Sequence, residues 1–336
     1  MESISSAPVM GSADLFSIQP GAISSGPPYL PSTSGLGGHA TVGVDVPISA
    51  VFIAMFIFCA VGHMTVFQRN RRRGHKFIPS VATFGFCMAR ITASVLRIAG
   101  ATRPTNINLA IAGQVFVAAG VLILFILNLL FAQRMLRASQ PRFGWSRPVS
   151  IAFKALYLLI FLTLVMLIAA TVKMFFTLDP DTRRVCRDLQ LYGASFFTFV
   201  TFLPLPIVAY ACLAPRHQPI DPFGTGKWTT KAKIVGVSGV LLCMGAGFRL
   251  GTSAMPARAI TNPAWYHHKA CFYIFNFGLE VVVAYMWLVF RFDRRFYIPD
   301  GSSKVRNYSR ESTSPAEPIT SETGKTQDEK EARSKV

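Results

Sequence analysis

Seven apolar stretches, each about as long as a helix needs to cross a bilayer, set the terms for everything this chain can fold into. They run Pro47–Phe67, Phe77–Ala99, Leu109–Ala132, Val149–Val172, Leu189–Ala214, Ala232–Ser253 and Ala270–Arg291. Backbone polar groups in hydrocarbon must find partners within the chain, so stretches of this length are expected as helices. A strand reading would need alternation with period two, and no block sustains it. Of the residues, 51% are hydrophobic and 15% charged, less charge than a soluble domain carries. The expected fold is therefore all-α, an integral membrane seven-helix bundle at 47–292. It is flanked by a disordered tail at 1–46 and by a juxtamembrane segment and disordered tail at 293–336.

A net charge of +18 invites a nucleic-acid reading, but the placement of the cations excludes it. Lys and Arg gather at block ends: "QRNRRRGHK" in the first connection, Arg134, Arg137, Arg142 and Arg147 around the third, and Arg216, Lys227 and Lys231 around the fifth. The first 46 residues contain no Lys or Arg. Positive charge marks the cytosolic side, so the N-terminus is expected outside and the C-terminus in the cytosol. Arg183, Arg184 and Arg187 in the fourth connection run against this bias, in the company of Asp179, Asp181 and Asp188. No cleavable signal is seen in the first thirty residues. With no organelle address, the plasma membrane is the expected location. The sequon Asn307–Ser309 would then face the cytosol unmodified, and Ser314-Pro315 sits in a tail rich in hydroxyls.

Several short strings carry no chemistry here. "NPAWY" at 262–266 precedes the last block rather than ending it, and "GTGK" at 224–227 lacks the spacing of a phosphate loop. His267-His268 has no further metal ligands nearby and belongs to an aromatic interfacial belt. "GFRLG" at 247–251 is a small-residue pattern suited to helix packing. "PLP" at 204–206 should interrupt the fifth helix. "VFRFDRRFYIP" after the last block is expected either as a short interfacial helix or as a frayed helix end. Cys186 and Cys271 both map near the outer face, where one disulfide between them is open.

The residues that point to function are the charges inside the blocks, which in a membrane are functional suspects and usually pair. At about 1.5 Å per residue, Arg90 and Glu280 fall within a few ångströms of the same depth, near the middle of blocks two and seven. An Arg90–Glu280 ion pair is expected. Arg97 lies two turns along the same face as Arg90, and Arg249 is near the outer end of block six. Asn276 precedes Glu280 by one turn, and Gln114 lies in the outer part of block three. Together these would leave the outer half richer in arginine than in carboxylate, a setting for an anionic or lipid ligand. No Asp falls within the seven blocks and His63 stands alone, which excludes a membrane zinc hydrolase; Lys269 only opens block seven, which excludes a retinal pigment. No enzyme, cofactor or metal is implied.

The runs "NPAWYHHKACFYIFNFGLEVVVAYMWLVFRFDRRFYIPDG", "FCMARITASVLRIA" and "FVAAGVLILFILNLLFAQR" resemble a family of filamentous-fungal seven-helix proteins often labelled family C-like G-protein-coupled receptors. The region "WYHHKACFYIF" more distantly resembles the fungal lipid-translocating exporters. The first resemblance implies a receptor at the fungal surface with a cytosolic G protein as partner; the second implies a lipid transporter. The third block ends in "FAQRMLR" rather than DRY, and no receptor motif residue is carried over. Membrane lipids are expected partners in either case. A purely structural role for the charges, as clamps between helices, is the third alternative.

Overall fold

In a computed structural model, which describes residues 26–29, 33–215 and 219–298, the chain is a bundle of seven long apolar helices. The spans are Val42–Arg72, Ile78–Thr102, Ile107–Ser139, Arg147–Phe176, Pro180–Leu213, Trp228–Ala254 and Lys269–Val289. Among the described residues there is no strand, only one isolated bridge between Thr33 and Ala259. The side chains facing outward are themselves apolar, among them Phe58, Phe161 and Leu213. Such a surface suits lipid and not water, and the protein is an integral membrane protein. The tail segments 1–25, 30–32 and 299–336, with the sequon and Ser314-Pro315, lie outside the described residues, as does Arg216.

Local rules explain the helix ends. Proline occupies the first turn of spans two, four and five, where its missing N–H costs nothing. The Asp179 carboxylate caps span five by accepting from Thr182 N at 3.0 Å, and these bonds hold its pKa below the ordinary carboxylate value. Span one stops at Gly74, whose φ of 79° is left-handed. Span five is broken at Leu203, between helices Pro180–Phe202 and Pro204–Leu213, as the two prolines require.

Span three is the axis. Of its most apolar window 56% is buried, against 17% for span four at the periphery. Spans one and two pack along their length, span three lies against two, four, five and six, and span seven rests on spans one and six. Close contact between six and seven depends on Gly245: a Cβ there would stand 2.9 Å from the Phe275 carbonyl oxygen. Gly247 and Gly251, the small-residue pair, face open space instead.

Odd spans run from what we term the amino face, where span one begins, to the carboxy face. Two segments expected to be loose are built into these faces. At the amino face, residues 33–41 lie across the bundle. Ser34 N donates to Arg258 O at 2.8 Å, and Gly37 N to His267 O at 3.1 Å. Residues 33–46 of the expected tail are thus part of the folded bundle. At the carboxy face the chain reverses at Arg291, a non-glycine residue with φ 50°, and one helical turn, Phe292–Arg295, tucks inward. Phe292 and Phe296 are fully buried among Phe77, Phe131 and Trp287. This is neither the interfacial helix nor the frayed end that the alternating aromatics and arginines imply. Asp293 secures the reversal. Burial pushes its pKa up, but hydrogen bonds from Arg291 and from Asn70 Nδ2 at 2.9 Å outweigh that and leave it below the ordinary value.

Candidate functional site

Two charged clusters lie inside the bundle, each organised by one carboxylate. The first is mid-bundle. Glu280, on span seven, faces Arg90 of span two through two contacts, Nε to Oε2 at 2.6 Å and Nη2 to Oε1 at 2.8 Å. Arg90 Nη1 donates to Val117 O of span three at 3.1 Å. The guanidinium lies over the rings of Phe277 and Phe86, 5.2 and 5.7 Å from their centroids. Both side chains are buried, Arg90 at 0% and Glu280 at 2% exposure. The Nη2–Oε1 contact is the hydrogen bond of the pair and Nε–Oε2 a close ion contact outside hydrogen-bonding geometry; the delocalised, weakly hydrated guanidinium suits such a place better than an ammonium.

Arg249 of span six joins this pair from the amino side. Its Nη1 donates to Asn276 Oδ1 at 3.0 Å and stands 3.5 Å from Glu280 Oε1. Asn276 in turn donates to Phe272 O at 3.1 Å. Asn276 lies in a π-helical turn of span seven, Ile274–Gly278, and Glu280 two residues after it. Such wide turns recur at functional sites because they re-aim side chains inside an otherwise regular helix. The Arg249 side chain keeps 22% exposure. It is the accessible cation of a group that holds two arginines and one glutamate.

The second cluster lies nearer the amino face. Asp45, fully buried, is contacted by Arg97 Nε at 2.8 Å and Lys269 Nζ at 2.5 Å. Thr41 N donates to the same carboxylate at 2.7 Å and Tyr273 Oη at 2.9 Å. Lys269 also reaches the Thr41 hydroxyl. Arg97 Nη2 donates to Gly37 O at 2.7 Å, tying the crossing segment to the cluster, and stacks over Phe272 at 4.3 Å.

The structure therefore brings Arg90, Glu280, Arg249 and Asn276 together and places Arg97 in a separate group. Gln114 is exposed on span three and joins neither. Two readings of the sequence need correction. Asp45 lies within the first helix, not in a tail, because the helix starts five residues before Pro47 and the Asp45 carboxylate caps it through Thr41 N. Lys269 is an ion-pair partner as well as the first residue of its span. The disulfide also requires correction: Cys186 and Cys271 are both free thiols. Among the described residues no group of His, Cys, Asp and Glu could hold a metal ion.

Two surface concavities lie apart from these clusters. One, of about 390 Å³, lies among residues 26–28 and 105–108, and the other, of about 380 Å³, lies at Gln68, Arg71 and Arg72. The mid-bundle cluster is packed, and within it Arg249 alone keeps part of its side chain exposed.

Fold and site together define a seven-helix membrane protein whose polar core joins spans one, two, six and seven. A family model described as a protein of unknown function (DUF3112) matches residues 223–297. That stretch carries Arg249, Asn276, Glu280 and the inward-turned Phe292, but not Asp45, Arg90 or Arg97. No curated protein and no solved structure matches the chain.

Proposed function

We propose that the protein is a receptor-like membrane protein that binds an anionic amphiphile, such as a fatty acid or a lysophospholipid, in the amino half of its bundle. One observation carries the reading: among the described residues Arg90, Arg97, Arg249 and Lys269 pair with only Glu280 and Asp45, four cations to two carboxylates. Uncompensated charge is costly inside a membrane, and an anionic headgroup would relieve it. Arg249, part exposed and next to a π-helical turn, is the residue that would meet the ligand first. Binding would favour the helix arrangement in which that headgroup competes with Glu280 for Arg249. The resemblance to fungal receptor-like seven-helix proteins supports the receptor class, with the N-terminus outside, a plasma-membrane location and a cytosolic G protein as partner.

The test is native mass spectrometry and thermal unfolding of gently solubilised protein with oleate and with lysophosphatidate. The wild type should bind one of them and gain stability with concentration, and Arg249→Gln should lose both effects. Absence of binding and of stabilisation by either anion would refute the reading. The lipid-transporter alternative is separated by proteoliposomes: a transporter moves labelled lipid without a cytosolic partner, whereas a receptor changes nucleotide exchange on a G protein.

A further inference from the structure

We infer a second lipid site at the opposite, carboxy face: a headgroup site for anionic phospholipids built from the rigid turn that ends span one. It does not involve the amino-half clusters. The turn presents Arg69, Arg71, Arg72, Arg73 and Lys76, all exposed. No carboxylate lies within ion-pair distance of any of them among the described residues. The face as a whole has the same bias. Its only two described carboxylates, Asp221 and Asp293, are buried. The amino face, by contrast, mixes exposed Asp179, Asp181 and Asp188 with its arginines.

A basic run that only orients the chain in the membrane need not be ordered. This one is held in shape. Arg73 N and His75 N both donate to Asn70 O, at 3.0 and 2.9 Å, and Gly74 N donates to Arg71 O at 3.0 Å. Gly74 supplies the left-handed residue that the turn requires. From below, Asn70 Nδ2 is fixed to Asp293 at 2.9 Å, and the His75 ring bonds Tyr297 Oη at 2.7 Å. The guanidiniums therefore project from a fixed scaffold, which lowers the ordering cost of binding. Gln68, Arg71 and Arg72 line the concavity of about 380 Å³.

The surroundings select a lipid over a soluble acidic partner. The turn joins two apolar spans, and Ile78, two residues after Lys76, is 71% exposed. Cations and outward apolar side chains thus adjoin, as a phospholipid needs: phosphate on the arginines, acyl chains along spans one and two.

The experiment is native mass spectrometry of the full chain titrated with phosphatidylinositol bisphosphate, phosphatidylcholine and soluble inositol trisphosphate. The wild type should bind the phosphoinositide well above phosphatidylcholine and the soluble headgroup. Each cation near an anionic surface contributes about fivefold in affinity. Arg71→Gln/Arg72→Gln/Arg73→Gln should therefore weaken phosphoinositide binding roughly a hundredfold. Arg103→Gln/Arg184→Gln, at the amino face, should leave it unchanged. Inositol trisphosphate binding as tightly as the lipid would overturn the lipid assignment. Equal binding of phosphatidylcholine, or an unaffected triple variant, would overturn the site. Should the triple variant fail to fold, a photoactivatable phosphoinositide on the wild type decides: cross-links must fall in residues 68–78, and cross-links elsewhere reject the proposal.

Discussion

Glu280→Gln is the substitution to which the bundle should be most sensitive among its buried charges. The change keeps the size of the side chain and removes only its charge, so packing is nearly preserved. What remains is Arg90, wholly buried, and Arg249, with no carboxylate within reach. Removing one partner of a buried ion pair costs about 3–5 kcal/mol, because the other charge is stranded. Arg90→Met should cost less, on the order of 2 kcal/mol, since Glu280 keeps Arg249 at 3.5 Å as a counter-ion. Arg249→Met removes the longer contact to Glu280 and leaves Asn276 Oδ1 without its donor, and should cost about 1–2 kcal/mol. The expected order of damage is thus Glu280, Arg90, Arg249. The double variant Arg90→Met/Glu280→Gln should be more stable than Glu280→Gln alone, because it no longer strands the deeper arginine; the expected coupling is about 2 kcal/mol. Thermal unfolding of solubilised protein, followed by size-exclusion fluorescence, measures all four. At about 2–4 °C per kcal/mol, Glu280→Gln should lower the midpoint by on the order of 10 °C. Equal losses for Glu280→Gln and Arg249→Met, or strict additivity in the double variant, would refute the assignment of Glu280 as the shared counter-ion.

Asp45→Asn should strand Arg97 and Lys269 together, cost about 3 kcal/mol, and expose the 33–41 segment to limited proteolysis that the wild type resists. Gly245→Ala should destabilise by about 1–3 kcal/mol in the same unfolding assay by pushing against Phe275 O. Gly247→Ala, facing open space, should be neutral or gain up to about 1 kcal/mol from helix propensity. Acidification should loosen the amino face at His267. Burial, reinforced by Arg258, lowers its pKa from the ordinary 6.5, and its Nδ1 accepts from Ala264 N. Because the folded pKa lies below the unfolded one, this contribution is complete above the unfolded value and is lost as pH falls through the folded one. Hydrogen exchange at the Ala264 and Gly37 amides should therefore quicken on going from neutral to acidic pH, and His267→Asn should remove most of that dependence.

The spans themselves were legible because lipid enforces one rule over long stretches: an apolar block of bilayer length has no alternative to a helix. Glu280 and Arg90 could be matched in depth for the same reason, since rise per residue converts sequence position into height. Azimuth was harder. Arg97, seven residues from Arg90, shares its face of span two, yet it meets a different carboxylate, because that carboxylate hides where the apolar window begins. A polar residue followed by Pro47 reads as tail, and only the capping bond to Thr41 N reveals Asp45 as helical. The carboxy-face closure was illegible for a different reason. It depends on a left-handed Arg291 where glycine would be the usual signal, stabilised by Asp293 two residues on and, through Asp293, by Asn70 from a distant part of the chain.

The two carboxylates also couple the spans in a definite pattern. Asp45 ties span one to spans two and seven, and Glu280 ties span seven to spans two and six. Spans two and seven are common to both clusters, joined at two heights, while spans one and six each hold on at one. On span seven, Lys269 and Glu280 are separated by the π-helical turn, the one place in that helix where a change of winding could move one cluster relative to the other. An anion that drew Arg249 away from Glu280 would leave Arg90 as its sole charged partner, a change in load on span seven just below that turn. Two rigid pairings with a re-windable turn between them make a bistable element possible in a bundle otherwise packed to its centre. Span six is held besides by the Gly245 contact and by Trp287 Nε1 donating to Ser238 Oγ at 2.8 Å, so the freedom to rewind lies in the turn of span seven.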